Sequence, residues 1–159
     1  MTRARPPSID PLAQCLEAAY HLLALRPRSQ QEMTSRLSRR FPPPVVAQAV
    51  ERLCSRGYLD DTAFARYWRE QRETFRPRSR LLLLQELRQK GINGEAIAQA
   101  LEGWDEEANA YRAGQRPARH PAPDHLTFCR KVEAFLRRRG FGLATAREAA
   151  QKLWEERSP

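Results

Sequence analysis

Apolar residues recur at intervals of three and four in three stretches of the chain, and each stretch contains two sets of them. Such spacing places the members of a set on one face of a helix. The first sets are pairs: Met33 and Leu37, Leu83 and Leu87, and Val132 and Leu136. The second sets are triplets: Val46, Val50 and Leu53, then Ile97, Leu101 and Trp104, then Ala146, Ala150 and Leu153. The pattern predicts two successive helices in each of three repeated units.

Short sequences repeat together with this spacing. The tetrapeptide R-P-R-S occurs at 26–29 and again at 76–79. V-A-Q-A-V at 46–50 resembles I-A-Q-A-L at 97–101. Because both the letters and the apolar intervals recur, internal duplication is favoured over chance.

The turn between the paired helices carries a glycine in two of the units. L-R-Q-K-G-I at 87–92 resembles L-R-R-R-G-F at 136–141, and a glycine there closes a helix because it accepts a left-handed backbone. The first unit has L-S-R-R-F at 37–41, without a glycine, and continues into the prolines at 42–44. Since proline fits the first turn of a helix but not the end of the previous one, we expect a different turn there, shorter by one residue.

A further helix is predicted ahead of each pair. It covers 12–25 in the first unit and about 60–75 in the second. Gly57 is placed to close the preceding helix, and Asp60 to cap the next one by accepting a backbone N–H. The adjacent carboxyls of Asp60 and Asp61 are better explained by capping and by the helix dipole than by catalysis.

The third unit is expected to begin differently. Asp105 opens a short helix, which Gly114 and Pro117 should break because neither residue favours a helix interior. The segment 113–124 is rich in proline and is predicted to be a linker that lets the third unit move relative to the second.

These elements predict an all-α fold of three tandem three-helix units in an elongated, curved array, where each unit packs on its neighbour. No segment shows the alternation that is typical of a strand. The predicted division of the chain is a disordered tail at 1–11 and three units at 12–57, 58–104 and 105–159.

The charge of the chain favours an anionic partner. Its 159 residues contain 28 lysines and arginines against 19 acidic residues, a net charge of +9, and only Lys90, Lys131 and Lys152 are lysines. Both ends are basic, with a net charge of +5 over residues 1–58 and over residues 114–159, and the part between them has −1. Such a balance indicates a polyanion or an acidic protein surface as partner.

Several classes of function are disfavoured. No apolar run approaches the ~18 residues of a membrane span, and no secretory signal is present. The three cysteines, Cys15, Cys54 and Cys129, are widely spaced and odd in number, which favours a reducing cytoplasm. No phosphate-binding loop or nucleophile elbow occurs, so we expect neither an enzyme nor a cofactor. His120 and His125 are expected to lie in a solvated linker rather than to bind a metal.

Basic residues stand at matching places before and after the second helix of each unit, and we call this set the basic edge. Arginine can hold a carboxylate or a phosphate through two parallel hydrogen bonds. The alternative is a solvated helix face that complements the helix dipole, and we favour binding for the set as a whole. The basic edge consists of Arg26, Arg28, Arg39, Arg40, Arg76, Arg78, Arg80, Arg88, Lys90, Arg137, Arg138 and Arg139.

The motifs in combination resemble the bacterial regulatory RecX family over roughly residues 12–156. The most specific of them is G-Y-L-D-D-x-x-F-A at 57–65, supported by R-P-R-S, L-R-x-K-G-I and R-R-R-G-F. The resemblance implies all-α three-helix units with a topology similar to helix-turn-helix proteins. The first unit departs from the family pattern in its missing glycine and its three prolines, and the third in the proline-rich segment before it.

The resemblance also implies a function. Members of the family bind the filament that the RecA recombinase forms on DNA, lie in its helical groove, and limit filament growth, ATP hydrolysis, strand exchange and coprotease activity. This would make the chain a cytoplasmic, monomeric negative regulator of recombinational DNA repair and the SOS response, with single- or double-stranded DNA as a further partner. The family has no catalytic residues to carry over. Two alternatives remain open: a basic, helix-turn-helix-like protein that binds DNA directly, and an adaptor for another acidic protein.

Overall fold

The computed structural model describes residues 9–157, and this range contains nine α-helices and no strand. The helices pack in consecutive threes, α1–α3, α4–α6 and α7–α9, so the predicted all-α fold of tandem three-helix units is confirmed. Their bounds are α1 Pro11–Leu25, α2 Gln30–Leu37, α3 Pro43–Ser55, α4 Asp61–Phe75, α5 Arg80–Gln89, α6 Gly94–Ala100, α7 Glu106–Ala118, α8 His125–Arg138 and α9 Leu143–Glu155.

Each unit has its own apolar core, built from the residues that the spacing singled out. Both members of every predicted pair are buried, as are most members of the triplets; Val50 and Trp104 are half-buried. The three cores are separate clusters, in which the central helix of each unit supplies the pair. The last helix supplies the whole triplet in the first and third units, but only Ile97 in the second, where α6 ends at Ala100. Burial of these faces against neighbouring helices supplies most of the stability of such short helices.

The helix ends follow the predicted signals. Asp60 caps α4, since its Oδ1 accepts the N–H groups of Thr62 and Ala63 at 3.0 and 3.1 Å. Of the 1–11 tail, residues 1–8 lie outside the described residues. α1 already begins at Pro11, with Asp10 as its cap.

Two kinds of turn join the paired helices. Gly91 and Gly140 have φ of 77° and 90°, and each turn is closed by a hydrogen bond to the carbonyl of the last core leucine of the helix. In the first unit, Phe41 N–H donates to Leu37 O at 3.0 Å, and no non-glycine residue of the described chain has a positive φ. α3 starts six residues after Leu37, whereas α6 starts seven residues after Leu87. The expected shorter turn is therefore present.

The predicted break in the third unit is wrong. α7 continues through Gly114 and Pro117 to Ala118, so only residues 119–124 separate it from α8. Gly114 is buried at a close approach of helices, where an added Cβ would lie 2.6 Å from Leu153 Cδ1. Packing against α9 therefore outweighs the low helix propensity of these two residues. The segment 113–118, predicted as linker, is part of a packed helix.

Candidate interface at the two unit junctions

The repeated R-P-R-S sequence lies where neighbouring units meet. Its serine is the N-cap of α2 in one copy and of α5 in the other. We call the contact of the first and second units the first junction, formed around Ser29 and Lys90. The contact of the second and third units, formed around Ser79 and Arg139, is the second junction. The duplication thus repeats a structural role, which is to cap a helix and to contact the turn of an adjacent unit.

Backbone groups hold both junctions in a similar way. At the first, Ser29 Oγ donates to Lys90 O at 2.7 Å. At the second, Ser79 N–H donates to Arg139 O at 3.1 Å. The acid at the start of the next unit adds a second bond in each case. Asp61 Oδ1 accepts the N–H of Gln30, and Glu106 Oε2 accepts the N–H of Arg80, both at 2.9 Å.

The cations of the first junction are neutralised within the chain. Glu32 accepts two hydrogen bonds from Arg26, at 3.0 and 3.1 Å, and forms an ion pair with Lys90. Its side chain is only 12% exposed. Burial acts to raise the pKa of Glu32, but the hydrogen bonds from Arg26 and Lys90 more than offset it, so the pKa is lowered. Both cations also lie over the ring of Trp68, 5.8 and 5.0 Å from its centroid.

A second carboxylate continues this network. Glu86 accepts Arg72 Nε and Trp68 Nε1, each at 2.8 Å, and forms an ion pair with Arg78 at 2.6 Å. Three members of the basic edge, Arg26, Arg78 and Lys90, are therefore bound to carboxylates of the chain itself. These three charges are already paired within the chain.

The second junction concentrates positive charge. Arg139 is half-buried with its guanidinium 5.0 Å from the Phe135 ring centroid. Burial lowers the pKa of Arg139, and the neighbouring cations Arg78, Arg76 and Arg116 lower it further. A cavity of about 360 Å³ opens beside it, and five of the residues that line this cavity are arginines: Arg76, Arg112, Arg116, Arg119 and Arg139.

The remaining residues of the basic edge differ in exposure. Arg28 is half-buried, its Nε has no hydrogen-bond partner within the described residues, and burial together with Arg26 lowers its pKa. The others lie on the surface of the helices or at their ends, available to a partner. The exposed members are Arg39, Arg40, Arg76, Arg80, Arg88, Arg137 and Arg138.

Sequence reasoning missed the arginines of α7. Arg112, Arg116 and Arg119 follow one another at intervals of four and three, the same signal that identified the apolar faces. They were overlooked because part of this segment was interpreted as a linker, and the structure brings all three to the lining of one cavity.

Other chemistry has little support in the described part of the chain. Within residues 9–157, no three His, Cys, Asp or Glu side chains lie close enough together to hold a metal ion. His125 Nε2 lies 2.8 Å from Gln151 Oε1, and its ring packs on Trp154. Among the described helices, none combines the length and the apolar character needed to cross a membrane.

Comparison with known proteins agrees with the tandem architecture. Models of the first and second three-helix domains of RecX match residues 15–53 and 60–101. The Regulatory protein RecX of Mycobacteroides abscessus is 32% identical over 150 residues, covering 88% of this chain and 74% of the relative. That of Chlorobium phaeobacteroides is 30% identical over 142 residues, covering 89% and 94%.

Two solved structures share the fold. A crystal structure of RecX from Lactobacillus salivarius superposes with a TM-score of 0.69 at 16% identity, covering 91% of this chain and 97% of that one. A crystal structure of another regulatory protein RecX gives a TM-score of 0.72 at 20% identity, covering 89% and 74%.

Proposed function

The chain belongs to the RecX family of regulatory proteins, and from this premise we propose that it is a negative regulator of the RecA recombinase. It binds the RecA–DNA filament along the helical groove and inhibits filament extension, ATP hydrolysis, strand exchange and coprotease activity. In this way it moderates recombinational DNA repair and the SOS response. It acts as a monomer in the cytoplasm and by occupancy rather than by catalysis.

The observation that carries the proposal is the recurrence of exposed arginines after the central helix of each unit. Arg39 and Arg40 follow α2, Arg88 lies in the last turn of α5, and Arg137 and Arg138 end α8. A filament presents the same subunit surface repeatedly, so a tandem protein can contact several subunits at once. Linked weak contacts add through effective concentration, which favours assembled filament over single subunits.

The alternative function is direct binding to DNA through the same arginines. The arginine-lined cavity at the second junction favours it, since guanidinium groups bind phosphate well. Such binding should weaken steeply with added salt, with a slope that counts the phosphates neutralised.

The test is ATP hydrolysis by RecA on single-stranded DNA, titrated with this protein at fixed salt and at several DNA concentrations. We expect inhibition well below the ratio of protein to nucleotide that would coat the DNA. The double substitution Arg137→Gln with Arg138→Gln should weaken inhibition and leave helicity unchanged, because both side chains are exposed.

A matched control is Arg66→Gln with Arg130→Gln, which removes the same charge from exposed positions outside the basic edge. If added bare DNA relieved the inhibition in proportion to its amount, the DNA-binding alternative would be favoured over regulation of RecA. Equal affinity for single RecA subunits and for filament would refute the groove contact.

A further inference from the structure

The two junctions place different residues at equivalent positions. Aligning the two R-P-R-S segments equates Arg26 with Arg76 and Glu32 with Leu82. Aligning the basic residue before the turn glycine equates Lys90 with Arg139. The second junction therefore keeps both cations and replaces the carboxylate that joins them at the first by a leucine. Neither Arg76 nor Arg139 forms an ion pair with any of the residues that the structure describes.

A second replacement changes the surroundings of these cations. Aligning the N-caps Asp60 and Asp105 places Trp68 and Ala113 at equivalent positions. Trp68 covers the cations of the first junction, whereas Ala113 lines the cavity of about 360 Å³ at the second. An indole has thus been exchanged for a methyl group at the place where the cavity lies.

The lining of this cavity is cationic, and its one carboxylate is already engaged. Glu73 lies 3.4 Å from Arg69 Nε and 3.8 Å from Arg112 Nη2. Five arginines line the space against this single acid. Positive charge concentrated in a concave site attracts an anion. Arginine can also donate two parallel hydrogen bonds to a phosphate.

An exposed aromatic ring stands at the same cavity. Phe75, the last residue of α4, is 72% exposed although it is a large apolar side chain. Phe135 also lines the cavity and lies beneath the guanidinium of Arg139. Aromatic rings beside cations form the usual site for single-stranded nucleic acid, where bases stack while phosphates are neutralised. A duplex does not present its base faces for such stacking.

We propose that the cavity at the second junction binds a phosphodiester of single-stranded nucleic acid, which supplies the negative charge that Glu32 supplies at the first junction, while a base stacks on Phe75. Arg76, Arg116 and Arg139 hold the phosphate. This assignment rests on the DNA-binding alternative and gives it a site; its test uses nucleic acid without RecA, so its failure would leave the proposed regulation of RecA standing.

The test is fluorescence anisotropy of the full chain with a labelled oligothymidylate of about 15 nucleotides, long enough for such a site. Arg116→Gln with Arg119→Gln should weaken binding about tenfold or more, since one charge-assisted contact to the phosphate and a second positive charge of the lining are lost. Phe75→Ala should weaken it about fivefold or more. The equally charged control, Arg66→Gln with Arg130→Gln, should change affinity less than about twofold, because these exposed residues do not line the cavity and their charges are screened by salt.

A gain-of-carboxylate variant tests the same idea from the opposite direction. Leu82→Glu places an acid where Glu32 stands at the first junction, and it should abolish binding by pairing with Arg76 and Arg139. Its circular dichroism shows whether it folds, and the α7 variants decide the question if it does not, since Arg116 and Arg119 are exposed.

Four results would overturn the proposal. One is equal weakening by the α7 variant and by the control, which would indicate diffuse charge. Another is equal or tighter binding to a duplex of the same length. The third is displacement of the strand by thymidine monophosphate at a comparable concentration, which would assign the site to free nucleotides. The fourth is tighter binding to a labelled polyglutamate peptide, which would assign it to an acidic protein.

Discussion

The two junctions are held by similar hydrogen bonds but differ in the partners of their cations. At the first, Glu32 joins Arg26 to Lys90 beneath Trp68. At the second, the position aligned with Glu32 is Leu82, and Arg76 and Arg139 line an open cavity. Arg26 therefore has a structural role at the first junction, whereas its counterpart Arg76 is exposed and available for binding at the second. The number of arginines does not predict a binding surface; the presence or absence of a neighbouring carboxylate decides it.

The largest expected effect concerns the packing of the second junction. An added Cβ at Gly140 would lie 2.5 Å from Leu82 Cγ, and the residue has a φ of 90°. We expect Gly140→Ala to lower the free energy of unfolding by about 3 kcal/mol, because left-handed strain and overpacking add. Denaturant unfolding followed by circular dichroism measures it.

Gly57→Ala is the matched control for Gly140→Ala. Gly57 also has a positive φ, of 78°, but no atom lies within 4 Å of an added Cβ. Gly57→Ala should lower the free energy of unfolding by about 1 kcal/mol, which is the cost of the left-handed backbone alone. Equal losses for the two variants would show that Leu82 moves aside at no cost, and the close contact of the second and third units would then contribute nothing to stability.

The next effect concerns the carboxylate that distinguishes the first junction. Glu32→Gln removes the charge between Arg26 and Lys90 in a site that is only 12% exposed. We expect a loss of about 2 kcal/mol at neutral pH, since two partly buried cations lose their counterion. Glu70→Gln, at an exposed position of α4, is the control and should change stability little.

The pH dependence of this loss has a definite sign. The folded protein holds the pKa of Glu32 below its ordinary value, so the stabilisation by its charge is complete above the pKa of the unfolded chain. It disappears as the pH falls through the lowered folded pKa. The difference in stability between the wild type and Glu32→Gln should therefore shrink in acid. A difference that stayed constant from neutral to acidic pH would mean that Glu32 acts through its shape and not its charge.

Most of the fold could be predicted because each unit repeats its own local signals. Pairs such as Leu83 and Leu87 face their core, and Gly91 marks the turn where it is expected. The path of α7 could not be predicted, since Gly114 is held in a helix by a contact with Leu153 that lies far along the chain.

The candidate site could be predicted only in part from the sequence, because it too depends on contacts between distant parts of the chain. The repeats predict a binding role for Arg76 and Arg139, but they predict the same role for Arg26. The pairing of Arg26 with Glu32 depends on how units meet, as does the convergence of the α7 arginines on one cavity. Alignment of the two copies of R-P-R-S could have shown the exchange of Glu32 for Leu82, which is a sequence signal that separates the two junctions.

The smallest expected effect concerns the two capping serines. Ser29 and Ser79 are both buried, and each Oγ accepts the N–H of the residue three positions ahead, at 3.1 and 3.2 Å. Only Ser29 Oγ also donates to the neighbouring unit, at Lys90 O. Substitution by alanine should lower the free energy of unfolding by about 1 kcal/mol at Ser79, which is the loss of a cap. At Ser29 it should lower the free energy of unfolding by about 1 kcal/mol more, because the partly buried carbonyl of Lys90 also loses its donor.

Denaturant unfolding of Ser29→Ala and Ser79→Ala side by side isolates this difference, since each variant is the control of the other. A larger loss at Ser29 would mean that the first junction is held by a side-chain hydrogen bond as well as by its ion pairs, and so is the more rigid of the two. Equal losses would mean that the hydrogen bond from Ser29 to Lys90 adds no stability to the first junction, and that Glu32 and its cations distinguish it from the second. The contrast between the first and the second junction would then depend on the carboxylate of Glu32.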